Sequence, residues 1–139
     1  MNILDIYNYK NYAEVVKVVD GDTISVLTDF GVCKIKQKLR LNRIDTPEKF
    51  GKYKEIGLAI TSHVKDLINN SSNKILVHAV GSDLYGRVIS EIFLHDNTNL
   101  SDYLLNNKLC KPCYGKREEW TDEDYKVTND YINSLQKIK

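Results

Sequence analysis

Long apolar runs are missing from this 139-residue chain, and none comes near the length that a bilayer-spanning helix needs. The opening residues, Met1 to Lys10, have neither a basic start nor a continuous hydrophobic stretch. As written they are not a secretory signal, so a cytoplasmic location is the expectation, with export left open. Excess positive charge is missing as well. A net charge of +1 does not suit a protein that coats nucleic acid through bulk charge, so a polyanion would have to be attracted locally. Walker-type phosphate loops, G-x-G-x-x-G and H-E-x-x-H are absent, which removes the usual nucleotide cradle and zinc-protease helix. So are internal repeats, low-complexity tracts and dividing linkers. One domain over residues 1–139 is expected, and its 42% apolar and 28% charged residues are ordinary for a globular chain.

Cysteine is sparse and odd in number, three in all, which points to free thiols in a reducing compartment. Cys110-Lys111-Pro112-Cys113 has the spacing of a zinc half-site or redox motif. Only Cys33 remains to complete it, and His63, His78 and His95 are scattered, so these cysteines read as structural or incidental. Arginine is scarce too, four residues against 16 lysines. Three of the four (Arg40, Arg43 and Arg87) fall inside short polar blocks, a placement that favours planar, bidentate recognition over solubility.

The hydrophobic pattern predicts a mainly β, α+β chain. Glu14 to Val19 and Thr23 to Thr28 read as strands rich in Val and Ile, split by Asp20-Gly21-Asp22. Cys33 to Ile44 supplies a third strand, and Pro47 blocks its continuation. Ile56, Ile60, Val64, Leu67 and Ile68 follow helical spacing up to the polar residues Asn69 to Asn73. Lys74 to Val80 and Val88 to Leu94 read as strands around the Asp83 turn. Asn99 is placed to cap a short helix to Asn107, and Thr121 to Asp124 resembles a capping box for a final helix over about 122–137. Five strands interrupted by a helix after the third is the order of an OB-fold Greek-key barrel, here with about three helices.

Three blocks carry the chemistry: Asp20-Gly21-Asp22-Thr23, Arg40 to Glu48, and Asp83 to Arg87. Asp22 and Asp45 each end a predicted strand. Carboxylates that converge in a curled sheet repel unless a cation lies between them. An oxygen-only set suits Ca²⁺ or Mg²⁺, and Thr46, beside the rigid Pro47, could add its carbonyl. An EF-hand is excluded, because Ser25 and Gly31 stand where that loop needs Gly and Glu. Arg40 and Arg87 could each clamp a phosphate oxygen, and Glu48 lies close enough to share the site. Against this stands a plainer reading, in which Asp20 and Asp22 are turn residues, the arginines are solvated and Glu48 is a loop carboxylate. Tyr7, Tyr9 and Tyr12 with Lys10 could stack bases or simply pack on the barrel.

Taken together, in this order and spacing, the three blocks resemble the thermonuclease (staphylococcal nuclease) family from about Val15 to Tyr114. The resemblance implies an OB-fold barrel that hydrolyses DNA and RNA, leaving 3′-phosphate ends. It also implies dependence on Ca²⁺, for which Mg²⁺ or Mn²⁺ could substitute. Asp22, Asp45 and the Thr46 carbonyl fall on the family's calcium ligands, and Arg40, Glu48 and Arg87 on its catalytic positions. Tyr85 and Tyr114 fall on aromatics lining the nucleotide pocket, and Asp20 on a supporting acid. Leu84 and Lys116 depart from the family pattern, replacing a phosphate-holding lysine and a pocket tyrosine. The implied partner is DNA or RNA, with no membrane, met by a monomer. The alternative is a non-catalytic nucleic-acid-binding OB-fold module.

Overall fold

A computed structural model describes residues 10–137. Tyr7 and Tyr9 lie outside the described residues, and Tyr12 is exposed. Strands β1 (Lys10–Asp20), β2 (Thr23–Asp29) and β3 (Lys34–Leu41) form an antiparallel meander. Helix α1 (Lys54–Asn70) follows, then strands β5 (Lys74–Ser82) and β6 (Val88–Phe93). The sheet closes in the order β1-β2-β3-β6-β5, with β1 antiparallel to β5 and β3 parallel to β6. This is the five-stranded Greek-key barrel that the strand order predicts. Two register shifts in β1, at Val15/Lys17 and Val18/Asp20, supply the bending that closure of so small a barrel requires.

Alternation explains the interior. Ile24 and Val26 of β2, Leu39 and Leu41 of β3 and Ile92 of β6 point inward and are essentially fully buried. Ile60, Val64 and Ile68, at helical spacing on α1, close the barrel over that core. A short helix α2 (Leu100–Asn106) and a final helix α3 (Asp122–Lys137) complete the described residues. Their caps follow the sequence signals. Asn99 Oδ1 accepts from the Asp102 amide at 3.1 Å. At α3 the Asp124 amide donates to Thr121 Oγ1 (3.2 Å) while the Thr121 amide donates to Asp124 Oδ2 (2.8 Å), a reciprocal box.

The third strand is shorter than its apolar pattern suggests. It stops at Leu41, and Arg43 adopts φ 70° before a two-residue strand β4 (Ile44–Asp45) pairs with β7 (Lys111–Pro112). The break is held by Arg43 itself. Its Nε and one terminal nitrogen donate to Glu91 at 2.6 and 3.0 Å, and that terminal nitrogen also donates to Asp102 at 2.7 Å. Arg43's fork is therefore engaged within the fold, which corrects the expectation that all three block arginines serve recognition.

Two glycines press α1 and the β1–β2 turn against the segment that leaves β4. A Cβ on Gly57 would meet the Glu48 carbonyl oxygen at 2.1 Å, and one on Gly21 would meet Thr46 Oγ1 and Ile60 Cγ2 at 2.8 Å. The Gly57 clash is with backbone, so relief must come from moving the Glu48 loop. We expect Gly57→Ala to destabilise the protein by about 1–3 kcal/mol, read as a lowered Tm in calorimetry. An unchanged Tm would show that the loop is free to give way.

Candidate active site

The β1–β2 turn, the end of β3, β4 and the Pro47 bend meet in a cleft of about 830 Å³, walled on another side by the Asp83–Arg87 turn. At its floor lie Asp22 and Asp45, only 7% and 5% exposed. Buried carboxylates need partners, and these two share one. The Arg40 guanidinium places its two terminal nitrogens 3.4 Å from Asp22 Oδ2 and 3.8 Å from Asp45 Oδ1. Asp22 also accepts from the Thr46 amide (3.1 Å) and from Thr23 Oγ1 (3.1 Å). Asp45 Oδ2 accepts from Trp120 Nε1 (2.7 Å) and Arg117 Nε (2.9 Å). Arg117 continues to Glu48, donating from a terminal nitrogen to Oε1.

Of the residues anticipated from the sequence, Asp22, Arg40, Asp45, Thr46 and Glu48 are thus gathered in one connected network, and Asp20 lies beside them. Arg87 joins from the wall. Its Nε donates to Asp83 Oδ2 at 2.6 Å and a terminal nitrogen donates to Thr23 Oγ1 at 3.3 Å. Asp83 also accepts the Tyr85 and Arg87 amides, each at 2.9 Å, so the turn and its arginine are fixed together. Tyr85 is exposed at the lip, its ring 5.8 Å from the Arg87 guanidinium. Leu84, also at the lip, is almost fully exposed. Tyr114 is not brought to the others: its side chain is exposed and does not line the cleft, although its neighbours Cys113 and Gly115 do.

Sequence reasoning missed three participants. Thr23 bridges Asp22 and Arg87; it stood in the first block without a role. Arg117 and Trp120 reach Asp45 from 72 and 75 positions away, and the only available sign was an arginine outside the three blocks close to the lone tryptophan. Cys110 lies behind the floor, its thiol pushed up to about 12 by burial and by the negative charge of Asp22 and Asp45.

The acids of the turn behave as a pair. Burial, a hydrogen bond with Asp22 and repulsion from it push the Asp20 carboxyl up to about 6. For Asp22 burial works in the same direction, but the hydrogen bond from Asp20, the Arg40 charge and the Thr46 donors outweigh it and hold the group below its ordinary range.

Whether this site suits a metal is decided by its donors. They are hard oxygens, and no hydrogen-bond donor reaches Asp45 Oδ1 among the described residues. Among those residues no three His, Cys, Asp or Glu side chains converge as a self-sufficient cage. Two carboxylates fit a hard ion completed by a carbonyl, water and substrate oxygens; they do not fit a tightly caged transition metal.

A barrel of this topology with acids and arginines at one cleft defines a class, and the match with known proteins agrees with it. Residues 38–134 match the family model described as staphylococcal nuclease homologue, and the chain belongs to that family. Two curated relatives, from Escherichia coli and Escherichia coli O157:H7, are each described as an uncharacterized endonuclease. Each is 31% identical over 94 residues, covering 68% of this chain and 56% of the relative. The chain thus spans about half the length of the curated relatives it matches.

A pH dependence follows from Asp20. The folded chain binds a proton there up to about pH 6, whereas the unfolded chain releases it near 3.8. Stability from this group is therefore complete below the unfolded value and is lost as pH rises through the folded one. Asp20→Asn mimics the protonated acid. With chelator present, its Tm should exceed that of the unsubstituted protein at about pH 8, and the gap should narrow as pH falls through about 6 and close only below about pH 3.8. A gap independent of pH would contradict the pairing.

Proposed function

We propose that this chain is a nuclease that hydrolyses phosphodiester bonds of DNA or RNA with the help of Ca²⁺, leaving 3′-phosphate ends. The observation that carries the reading is the convergence of Asp22, Asp45, Arg40 and Glu48 at the floor of a cleft whose wall presents Arg87. Membership of the staphylococcal nuclease family and relatives described as endonucleases support the same class. The 3′-phosphate outcome and the preference for calcium rest on the family resemblance.

Asp22, Asp45 and the Thr46 carbonyl would hold the ion, which when bound supplies Lewis-acid charge to a phosphate oxygen. Glu48 orients the attacking water and accepts its hydrogen bond. Among the described residues only its Oε1 is engaged, by Arg117, leaving the other oxygen for water. A carboxylate is a weak base for water, so charge stabilisation outweighs proton transfer. That work falls to the two arginines. Arg40 donates from one terminal nitrogen to the Leu41 carbonyl at 3.1 Å, contacts its carboxylates at long range and keeps its other donors for the phosphate. Arg87 commits its Nε to Asp83 and one terminal nitrogen to Thr23, and its remaining terminal nitrogen is held ready for the charge that builds on phosphorus. Tyr85 at the lip supplies a face for a base, and we assign Tyr114 the same role only if the exposed loop folds inward on substrate.

The assay is release of acid-soluble nucleotides from heat-denatured DNA with Ca²⁺ or with chelator. We expect release only with Ca²⁺. Glu48→Gln should lower kcat with little change in binding, and Arg87→Lys, which keeps the charge but loses the fork, should cost roughly 10²-fold or more. DNA retarded in a gel without being shortened would instead identify a binding module.

A further inference from the structure

We propose that the outward face of β3 is a phosphate track: Lys34, Lys36 and Lys38 lead along the strand to Arg40 and hold the backbone of a single-stranded nucleic acid beside the cleft. The proposal rests on the nuclease reading for the identity of the polyanion, and on strand geometry for the rest. Along β3 the odd residues from Gln37 onward face the barrel, while Ile35 near the open end is exposed. Leu39 and Leu41 are buried, and Gln37 Oε1 accepts from Thr28 Oγ1 at 2.8 Å. The even residues face out: Lys34, Lys36 and Lys38 are exposed, in line with Arg40, which opens into the cleft.

A rise of about 3.4 Å per residue puts successive lysines about 7 Å apart and the whole row at about 20 Å. That repeat is commensurate with successive phosphates of an extended strand. The row is also open on one side. β3 meets β6 only from Leu39 onward, so residues 34–38 are paired with β2 alone. Across the sheet, Lys38 faces Ser25, and Ser25 faces Lys17 of β1, which adds a fourth exposed ammonium to the same surface. The carboxylates on this face are Asp29, opposite Lys34, Glu14, opposite Leu27, and Asp20, opposite Thr23 in the row of Arg40. Asp29 Oδ1 accepts from the Gly31 amide at 2.8 Å. Among the described residues none of the four lysines is ion-paired. In a chain of net charge +1, this is the local concentration of positive charge that a polyanion would need. Lysines on an open edge also discourage strand pairing between molecules. Protection of the edge accounts for β3 alone, and not for Lys17 two strands further in or for a row that runs into the site's own arginine.

The test is binding of a fluorescent single-stranded thymidine oligomer of about 20 nucleotides, followed by anisotropy in chelator over a range of salt. Replacing Lys34, Lys36 and Lys38 together by Gln should raise Kd roughly tenfold at about 0.1 M salt and lower the slope of log Kd against log salt by about 2. A charge-matched control replaces Lys65, Lys108 and Lys126, exposed elsewhere, and should leave the slope unchanged. An unaltered Kd and slope in the β3 variant would overturn the proposal, as would an equal loss in the control. Equal Tm values confirm that all three proteins are folded. Cleavage by the unsubstituted protein is scored separately, so a protein that binds along β3 without cutting refutes the nuclease reading and not the track.

Discussion

Two buried carboxylates on neighbouring turns cannot stay ionised without positive charge between or beside them, and the arrangement of this barrel's open end follows from that constraint. Arg40 lies across Asp22 and Asp45, and Arg117 with Trp120 caps the far oxygen of Asp45. The Thr46 amide ties the two turns together through Asp22. Removing any one partner leaves a desolvated charge, which costs far more than the pair contributes when intact. The glycines at 21 and 57 matter for the same reason: they let the segment from Thr46 to Glu48 lie close enough to join the network.

One strand performs two tasks at this end of the molecule. The inward residues of β3 fill the core, while Arg40 and the lysines before it face out. The break after Leu41 then turns the chain so that Asp45 arrives beside Asp22 instead of continuing along the sheet. Arg43 fixes that turn through Glu91 and Asp102, which places a structural arginine three residues from one that faces the cleft.

Much of this was legible in the sequence because it is local. Val- and Ile-rich runs mark β1 and β2, alternation marks β3, helical spacing marks α1, and Asn99 and Thr121 announce their helices by hydrogen bonds to residues three positions on. Asp22, Arg40 and Asp45 stood out because acids and arginines at strand ends are unusual. What was not legible depends on how distant segments pack. Nothing near Arg117 or Trp120 signals that the chain after β7 folds back over Asp45. The end of β3 was masked by an apolar pattern running on through Ile44, with the left-handed Arg43 set by its partners in β6 and α2. Thr23 gains its role only when β6 delivers Arg87 to it.

The central claim is that Asp22 and Asp45 form a site for a hard divalent cation, and calcium-dependent thermal stability tests it most directly. An ion held with a Kd of about 10⁻⁴–10⁻³ M should add about 1–3 kcal/mol at about 10 mM Ca²⁺. We expect calorimetry to show a rise in Tm between chelator and calcium for the unsubstituted protein, and none for the Asp22→Asn/Asp45→Asn double variant. A rise of equal size in both proteins, or no rise in either, would contradict the account.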